Sequence, residues 1–226
     1  MILEFCRLGV TEYRAAHDLQ VRLVAERQRG ERGDIVLVTE HPGVFTLGRR
    51  GGREHLVVSE EFLASRGTPV IHVERGGEVT YHGRGQLVVY PIIDLRKARL
   101  PLTEYVYLLE ELMLRLASDC GITAVRDGRN HGVWVGGRKL GSVGIAVRHG
   151  IAFHGLALNV NPDLQPFSWI NPCGLREVEM TSLAIETGAD ISLDRLVLRL
   201  PEHLREIFAQ TVIETDSDTL LCREEA

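Results

Sequence analysis

Gly132-Val133-Trp134-Val135-Gly136-Gly137-Arg138-Lys139-Leu140-Gly141-Ser142-Val143-Gly144-Ile145-Ala146-Val147 sets two β-type runs on either side of a Gly-Gly pair. Paired glycines supply the positive φ that a tight hairpin turn demands, so the two runs are expected to lie antiparallel. Gly150 then turns the chain into a third run, Ile151-Ala152-Phe153-His154-Gly155-Leu156-Ala157-Leu158-Asn159-Val160. Strands joined by tight turns make a meander, which puts an antiparallel sheet at the centre of the chain. Strands and helices alternate irregularly around it. The pattern predicts an α+β fold, a mixed and largely antiparallel sheet flanked by helices, in preference to a doubly wound one.

Towards the N-terminus, residues 2–8 alternate as a strand, and Thr11 is placed to cap a helix running to about Arg29, with Tyr13, Ala16, Leu19 and Leu23 on one face and Gly30 closing it. Residues 34–38 form a short buried strand. His41-Pro42-Gly43 and residues 48–53 then frame a long loop, Ser59 starts a helix that ends by Gly67, and residues 70–73 form the next strand. Tyr105, Leu109, Leu112 and Leu116 fall on one helical face after Thr103, and Gly121 ends that helix. Beyond the meander, Pro162, Pro166 and Pro172 punctuate a loop; the remainder is expected to be helical to about Gln210, with Pro201 in the first turn of the last helix. The acidic residues 214–226 suit a final strand or a frayed end.

Composition narrows the function. The chain has 226 residues, 44% hydrophobic and 25% charged, consistent with one soluble domain spanning residues 1–226 and with a sizeable core. A net charge of −5 gives no general attraction to nucleic acid or anionic membrane, so a basic site must be local, as at Arg49, Arg50 and Arg53. No run approaches the ~20 apolar residues of a membrane span. Cys6, Cys120, Cys173 and Cys222 are widely spaced with no C-x-x-C pair, which suits neither a zinc site nor a disulfide framework and points to a reducing, cytoplasmic setting. No cofactor and no metal site is expected.

One segment is too rich in glycine for core and too rich in polar groups for a linker: Arg75-Gly76-Gly77-Glu78-Val79-Thr80-Tyr81-His82-Gly83-Arg84-Gly85-Gln86. It reads as a binding loop between two strands, held at one end by the apolar run from Leu87 to Ile93. Cys173, between Pro172 and Gly174, is presented by its loop, whereas Cys6 and Cys120 sit among apolar positions and read as packing residues. A nucleophilic thiol needs a base or a cation beside it, and Lys139, His82 and His154 are the candidates; pattern alone does not choose among them. Phosphate-loop, nucleophile-elbow and zinc-protease motifs are absent, and Gly83-Arg84-Gly85 precedes a strand, unlike a dinucleotide fingerprint.

Taken in order, Arg75-Gly76-Gly77-x-x-Thr80-Tyr81-His82-Gly83-x-Gly85-Gln86, Gly137-x-Lys139-Leu140-Gly141-Ser142, residues 153–160 and Asn171-Pro172-Cys173-Gly174 resemble the successive motifs of the lipoyl(octanoyl) transferase (LipB) family. The resemblance covers about residues 40–182. One departure is Arg84, where the family generally has proline. The resemblance implies a fold related to the biotin and lipoate protein ligases. It implies transfer of an octanoyl group from octanoyl-acyl carrier protein to a lysine on lipoyl domains of 2-oxoacid dehydrogenases and on glycine cleavage H protein. By position it makes Cys173 the acyl acceptor and Lys139 the residue that lowers its pKa. Substrate contacts map to Arg75, Gly76, Gly77, Glu78, Val79, Thr80, Tyr81 and His82, to Ser142, Val143 and Gly144, and to Gly155, Leu156 and Ala157. Two rivals stand beside this reading: an ATP-dependent lipoate or biotin ligase on the same fold, and a noncatalytic binder of acyl carrier or lipoyl domains.

Overall fold

The computed structural model describes residues 2–171 and 178–221. Its strands are β1 (Ile2–Val10), β2 (Asp34–Glu40), β3 (Val44–Leu47), β4 (Val70–His72), β5 (Val79–His82), β6 (Gln86–Asp94), β7 (Val125–Arg126), β8 (Gly132–Val135), β9 (Arg138–Arg148), β10 (Ile151–Asn159) and β11 (Thr211–Glu214). Its helices are α1 (Tyr13–Arg29), α2 (Glu60–Ser65), α3 (Leu95–Ala98), α4 (Leu102–Asp119), α5 (Leu183–Thr187), α6 (Leu193–Phe208) and α7 (Ser217–Leu221). Among the described residues the strands form an eight-stranded sheet, ordered β11-β1-β2-β6-β10-β9-β8-β7, and a three-stranded sheet, β4-β3-β5. In the large sheet β1 runs parallel to β2 and β11, while every pairing from β2 through β6, β10, β9 and β8 to β7 is antiparallel. This is the mixed, largely antiparallel sheet expected from the meander. No helix among the described residues is long and apolar enough to cross a membrane.

β6 explains the layering. All nine of its residues are buried. Leu87, Val89 and Ile93 pack with Tyr105, Leu109 and Leu112 of α4 and Leu200 and Leu204 of α6, whereas Val88, Tyr90 and Ile92 pack with Leu19, Leu23 and Val24 of α1. A strand covered on both faces has no polar side to show, which is why residues 87–93 read as a continuous apolar run. Each fully buried aliphatic side chain there contributes roughly 1.5–3 kcal/mol of hydrophobic stabilisation.

Pro91 interrupts the ladder in the middle of this strand. It cannot donate a backbone hydrogen bond, and the pairing with β10 lapses there without a change of register: it holds at Ala152↔Ile93, breaks, and resumes in step at Leu156↔Val89. Within the break His154 takes a left-handed φ of 56° and its N–H donates to Gln20 Oε1 at 2.9 Å. The proline on one strand thus sets the unusual backbone of a histidine on the next.

Several local expectations are corrected. Thr11 does not cap α1; its hydroxyl donates to Leu8 O, and the helix starts at Tyr13 without a side-chain cap. Residues 41–53 are not one loop, because β3 lies inside them and pairs with both β4 and β5. The glycine-rich segment is likewise not all loop, since residues 79–82 form β5. Pro201 lies in the interior of α6 and not in its first turn. The stripe Leu196, Val197, Leu200 and Leu204 packs without interruption against the core, which outweighs the lost hydrogen bond. The chain after Phe208 forms β11 beside β1 and then α7. The Gly136-Gly137 hairpin is as expected, with φ of 54° and 85°.

Candidate active site

A cavity of about 470 Å³ lies where β9 and β10 meet the turn before β5. Its volume falls in the range of about 300–1,000 Å³ usual for small-molecule sites. Three sequence motifs converge on it. Ser142, Val143 and Gly144 of β9 pair in register with Ala157, Leu156 and Gly155 of β10, so two stretches separated in sequence become one patch of wall. Arg75, Gly76, Gly77, Glu78, Val79, Thr80 and His82 form the facing side, and Gly76 N–H ties that side to the sheet by donating to Ile145 O at 2.8 Å. Tyr81 is placed elsewhere: its ring packs against Phe45 and Phe167 in the core of the small sheet.

Glycine lets the walls approach closely. A Cβ on Gly144 would stand 3.1 Å from Arg75 Cδ, and one on Gly155 would stand 2.1 Å from Val89 O. Arg75 is buried and holds the turn together, with Nη2 donating to Thr46 O at 2.6 Å and Thr46 Oγ1 at 2.8 Å, and Nη1 donating to Gly76 O at 3.0 Å. One oxygen of the Glu78 carboxylate is buried without a hydrogen-bond partner.

Lys139 also lines the cavity. It is only 4% exposed although it follows a hairpin turn. The cause is the segment after residue 178, which lays itself alongside β9: Lys139 N–H donates to Glu179 O at 2.8 Å, and Thr181 N–H donates to Lys139 O at 2.9 Å. The ammonium sits 5.3 Å from the centre of the Trp134 ring, close enough for a cation–π contact. Cys173 and Cys222 lie outside the described residues. Cys6 is fully buried, and burial pushes its thiol up to about 11; burial also raises the Cys120 thiol, so neither is activated.

His82 is held neutral, its pKa well below the ordinary value, by burial and then by His41 and Arg75 nearby. Its Nδ1–H donates to Gln86 Oε1 at 3.1 Å, leaving the lone pair on Nε2. Gln86 Nε2 donates to Asn159 Oδ1 at 3.1 Å, and Asn159 Nδ2 donates to Thr181 O at 2.9 Å. A chain of amides therefore joins His82 to the segment that covers Lys139. His154 is buried on the same cavity, and burial lowers its pKa as well. Behind the wall, His41 donates from Nδ1 to Thr11 O at 2.7 Å and accepts from the Tyr90 hydroxyl at 2.8 Å.

A family model described as the lipoyl protein ligase A/B catalytic domain matches residues 12–205. The chain belongs to that family. An octanoyltransferase of Desulfotalea psychrophila is 53% identical over 212 residues, covering 92% of this chain and 95% of its own. One from Syntrophobacter fumaroxidans is 49% identical over 201 residues, covering 89% and 88%. Relatives this similar put the chain on the octanoyltransferase side of the lipoyl protein ligase A/B family, as the motifs implied. Among solved structures, a lipoate-protein ligase A bound with ATP matches with a TM-score of 0.76 at 18% identity, over 97% of this chain and 92% of that one. A biotin protein ligase from Aquifex aeolicus matches with a TM-score of 0.55 at 15% identity, over 92% and 70%. At these identities the likeness shows the shared fold.

This octanoyltransferase-family cavity has walls that the sequence did not announce. Tyr13 and Tyr90 come from α1 and β6, residues 127–131 from a loop, and Phe167 from a single turn of 3-10 helix, Gln165–Trp169. Tyr13 stacks on His82 with ring centres 5.8 Å apart. The signal for Tyr13 and Tyr90 was misleading, since each occupies an apolar position of its element; the Asp127-Gly128-Arg129-Asn130 loop carried a turn signature without a motif. Arg50 lines this cavity, and Arg49 and Arg50 both line an adjacent hollow of about 490 Å³. Arg53 is paired with Glu60 at 2.9 Å, and Arg84 is exposed in the turn between β5 and β6, outside the cavity lining.

Proposed function

We propose that this octanoyltransferase-family protein transfers an octanoyl group from octanoyl-acyl carrier protein to a lysine of a lipoyl domain through a thioester on Cys173. The observation that carries the reading is Lys139, an ammonium-bearing side chain buried at the cavity wall and covered by the chain segment that continues from Cys173. A thiol of ordinary pKa, about 8.5, is mostly protonated at neutral pH, and a neighbouring lysine either takes its proton or stabilises the thiolate.

In the first step the Cys173 thiolate attacks the donor's thioester carbonyl. The carrier's thiolate leaves, taking up a proton, and one thioester replaces another. In the second step the acceptor lysine, as the free amine, attacks the acyl-Cys173 carbonyl. An amide forms, the Cys173 thiolate departs, and the amine's proton passes to the Lys139–Cys173 pair. Gly76 N–H is engaged with Ile145 O and is not an oxyanion donor. Val143, Leu156 and Ala157 give the wall an apolar face for the acyl chain. The acceptors are the lipoyl domains of 2-oxoacid dehydrogenases and the glycine cleavage H protein, and the exposed Arg49 and Arg50 beside the mouth suit an acidic carrier protein.

Intact-mass spectrometry after mixing the protein with octanoyl-acyl carrier protein, without ATP, tests this. One octanoyl adduct is expected, mapping to Cys173 and disappearing when apo lipoyl domain is added. An adduct that requires ATP would support the ligase rival, and no adduct at all would support a noncatalytic binder.

A further inference from the structure

His17 of α1, Glu74 in the turn after β4 and His154 at the break in β10 converge beside the cavity from three separate elements. Their ligand atoms all lie within 4.8 Å of one another. His17 Nε2 is 3.0 Å from Glu74 Oε2, and His154 Nε2 is 3.7 Å from the same oxygen. Bonds of about 2.0–2.1 Å to a tetrahedral ion would set neighbouring donors roughly 3.3 Å apart, between these two values. Both ring nitrogens of His154 are buried without a hydrogen-bond partner, and its side chain is only 2% exposed. An imidazole whose contact with the Glu74 carboxylate is a long 3.7 Å, beyond hydrogen-bond distance, is costly to bury, and a metal ion would satisfy one of its nitrogens. Glu74 Oε1 is held by Arg148 Nη2 at 3.2 Å, which orients the carboxylate and leaves Oε2 turned to the two histidines.

We propose that His17, Glu74 and His154 form a binding site for a borderline divalent cation of the zinc class, which staples α1 and β10 to the turn carrying Arg75. Two imidazoles and one carboxylate suit zinc, cobalt or nickel far better than magnesium or calcium, which favour all-oxygen sets. Three protein ligands leave a fourth position for water. The opposing influence is Arg148, whose cation shares the carboxylate, so the bound ion takes only Oε2. No motif announces the metal, because the three ligands are spread over 138 residues, from His17 to His154.

The test titrates the full-length protein with cobalt(II), whose visible d–d bands report coordination number, and then displaces it with zinc. One equivalent of cobalt is expected to give the strong bands of a four- or five-coordinate site, and zinc is expected to abolish them and to raise Tm. His17→Ala and Glu74→Gln should each weaken binding at least tenfold while keeping a wild-type circular dichroism spectrum in metal-free buffer. His17 is partly exposed, so that variant retains a folded reference if the other does not. Cys173→Ser should bind cobalt as the wild type does. The proposal is overturned if no equimolar binding occurs, if both ligand variants bind like the wild type, or if the cobalt spectrum shows a thiolate charge-transfer band that Cys173→Ser removes.

Discussion

Gly144 and Gly155 sit opposite one another on the β9–β10 ladder, and each is hemmed in by a different neighbour, Gly144 by the Arg75 side chain and Gly155 by the backbone of β6. The two therefore answer differently to the same substitution. Gly155→Ala drives a methyl into Val89 O and the Pro91 ring, which cannot retreat, and overpacking of this kind costs about 1–3 kcal/mol or more. Thermal unfolding should show Tm lowered by roughly 2–4 °C per kcal/mol for a chain of this size. Gly144→Ala meets the stem of Arg75, which its bonds to Thr46 and Gly76 hold in place, so it should displace that side chain, lowering Tm by less than Gly155→Ala does while raising KM for the octanoyl donor. Equal effects of both substitutions on Tm would show that Gly144 is a packing residue.

Lys139→Ala should slow acylation of Cys173 by roughly the 10²–10⁴-fold typical of losing a general base. It should also move the alkylation profile of Cys173 to higher pH. If the profile stays in place, Lys139 does not tune the thiol, and His82, whose Nε2 lone pair is available, becomes the group to titrate next.

Asn159→Ala removes the link between Gln86 and Thr181 O, leaving buried polar groups unpaired at a cost of about 1–3 kcal/mol. Because Thr181 N–H also caps Lys139 O, the variant should lose acylation rate beyond what its loss of stability explains. Measuring single-turnover acylation well below the Tm separates the two effects.

Stability should fall as pH drops from about 6.5. Burial lowers His41 to about 4, and the pKa values of His82 and His154 are also depressed. The unfolded chain takes up these protons near pH 6.5 while the folded chain resists, so the stabilisation is complete above the unfolded value and drains away as pH approaches the folded values. For His41 alone the loss is about 3 kcal/mol. Chemical denaturation between pH 7.5 and 4.5 should show it, and a flat profile would contradict neutral burial of these rings.

Reversing charge with Arg49→Glu and Arg50→Glu should weaken transfer from octanoyl-acyl carrier protein more than from a small octanoyl thioester, and the gap should narrow with salt. Equal, salt-independent losses on the two donors would assign these arginines to shaping the cavity.

The meander, its glycine turns and the long helices were legible because local rules decide them: Gly136-Gly137 permits only a few turns, and the period of Tyr105, Leu109, Leu112 and Leu116 fits only a helix. β3 was hidden because four residues carry too little alternation to stand out. Pro201 misled because propensity alone favours a helix start there, and the tertiary contacts of Leu200 and Leu204 override it. Within the site, the glycine motifs were visible, since close approach demands glycine. The amide chain from His82 through Gln86 and Asn159 to Thr181 was not, because it exists only once β5 of the small sheet meets the paired strands β6 and β10 of the large one and the segment at Thr181.

The parallel pairing of β1 with β11 matches Ile2 with Thr211, and Phe5 with Glu214. During synthesis the first strand leaves the ribosome about 200 residues before its outer neighbour does. At roughly 5–20 residues per second, it waits about 10–40 s with one edge unpaired. β1 can recruit β2 early, but its other edge stays a template for any passing strand until residue 214 has emerged. The nascent chain is thus most exposed to aggregation along the edge of β1 that its last strand will cover.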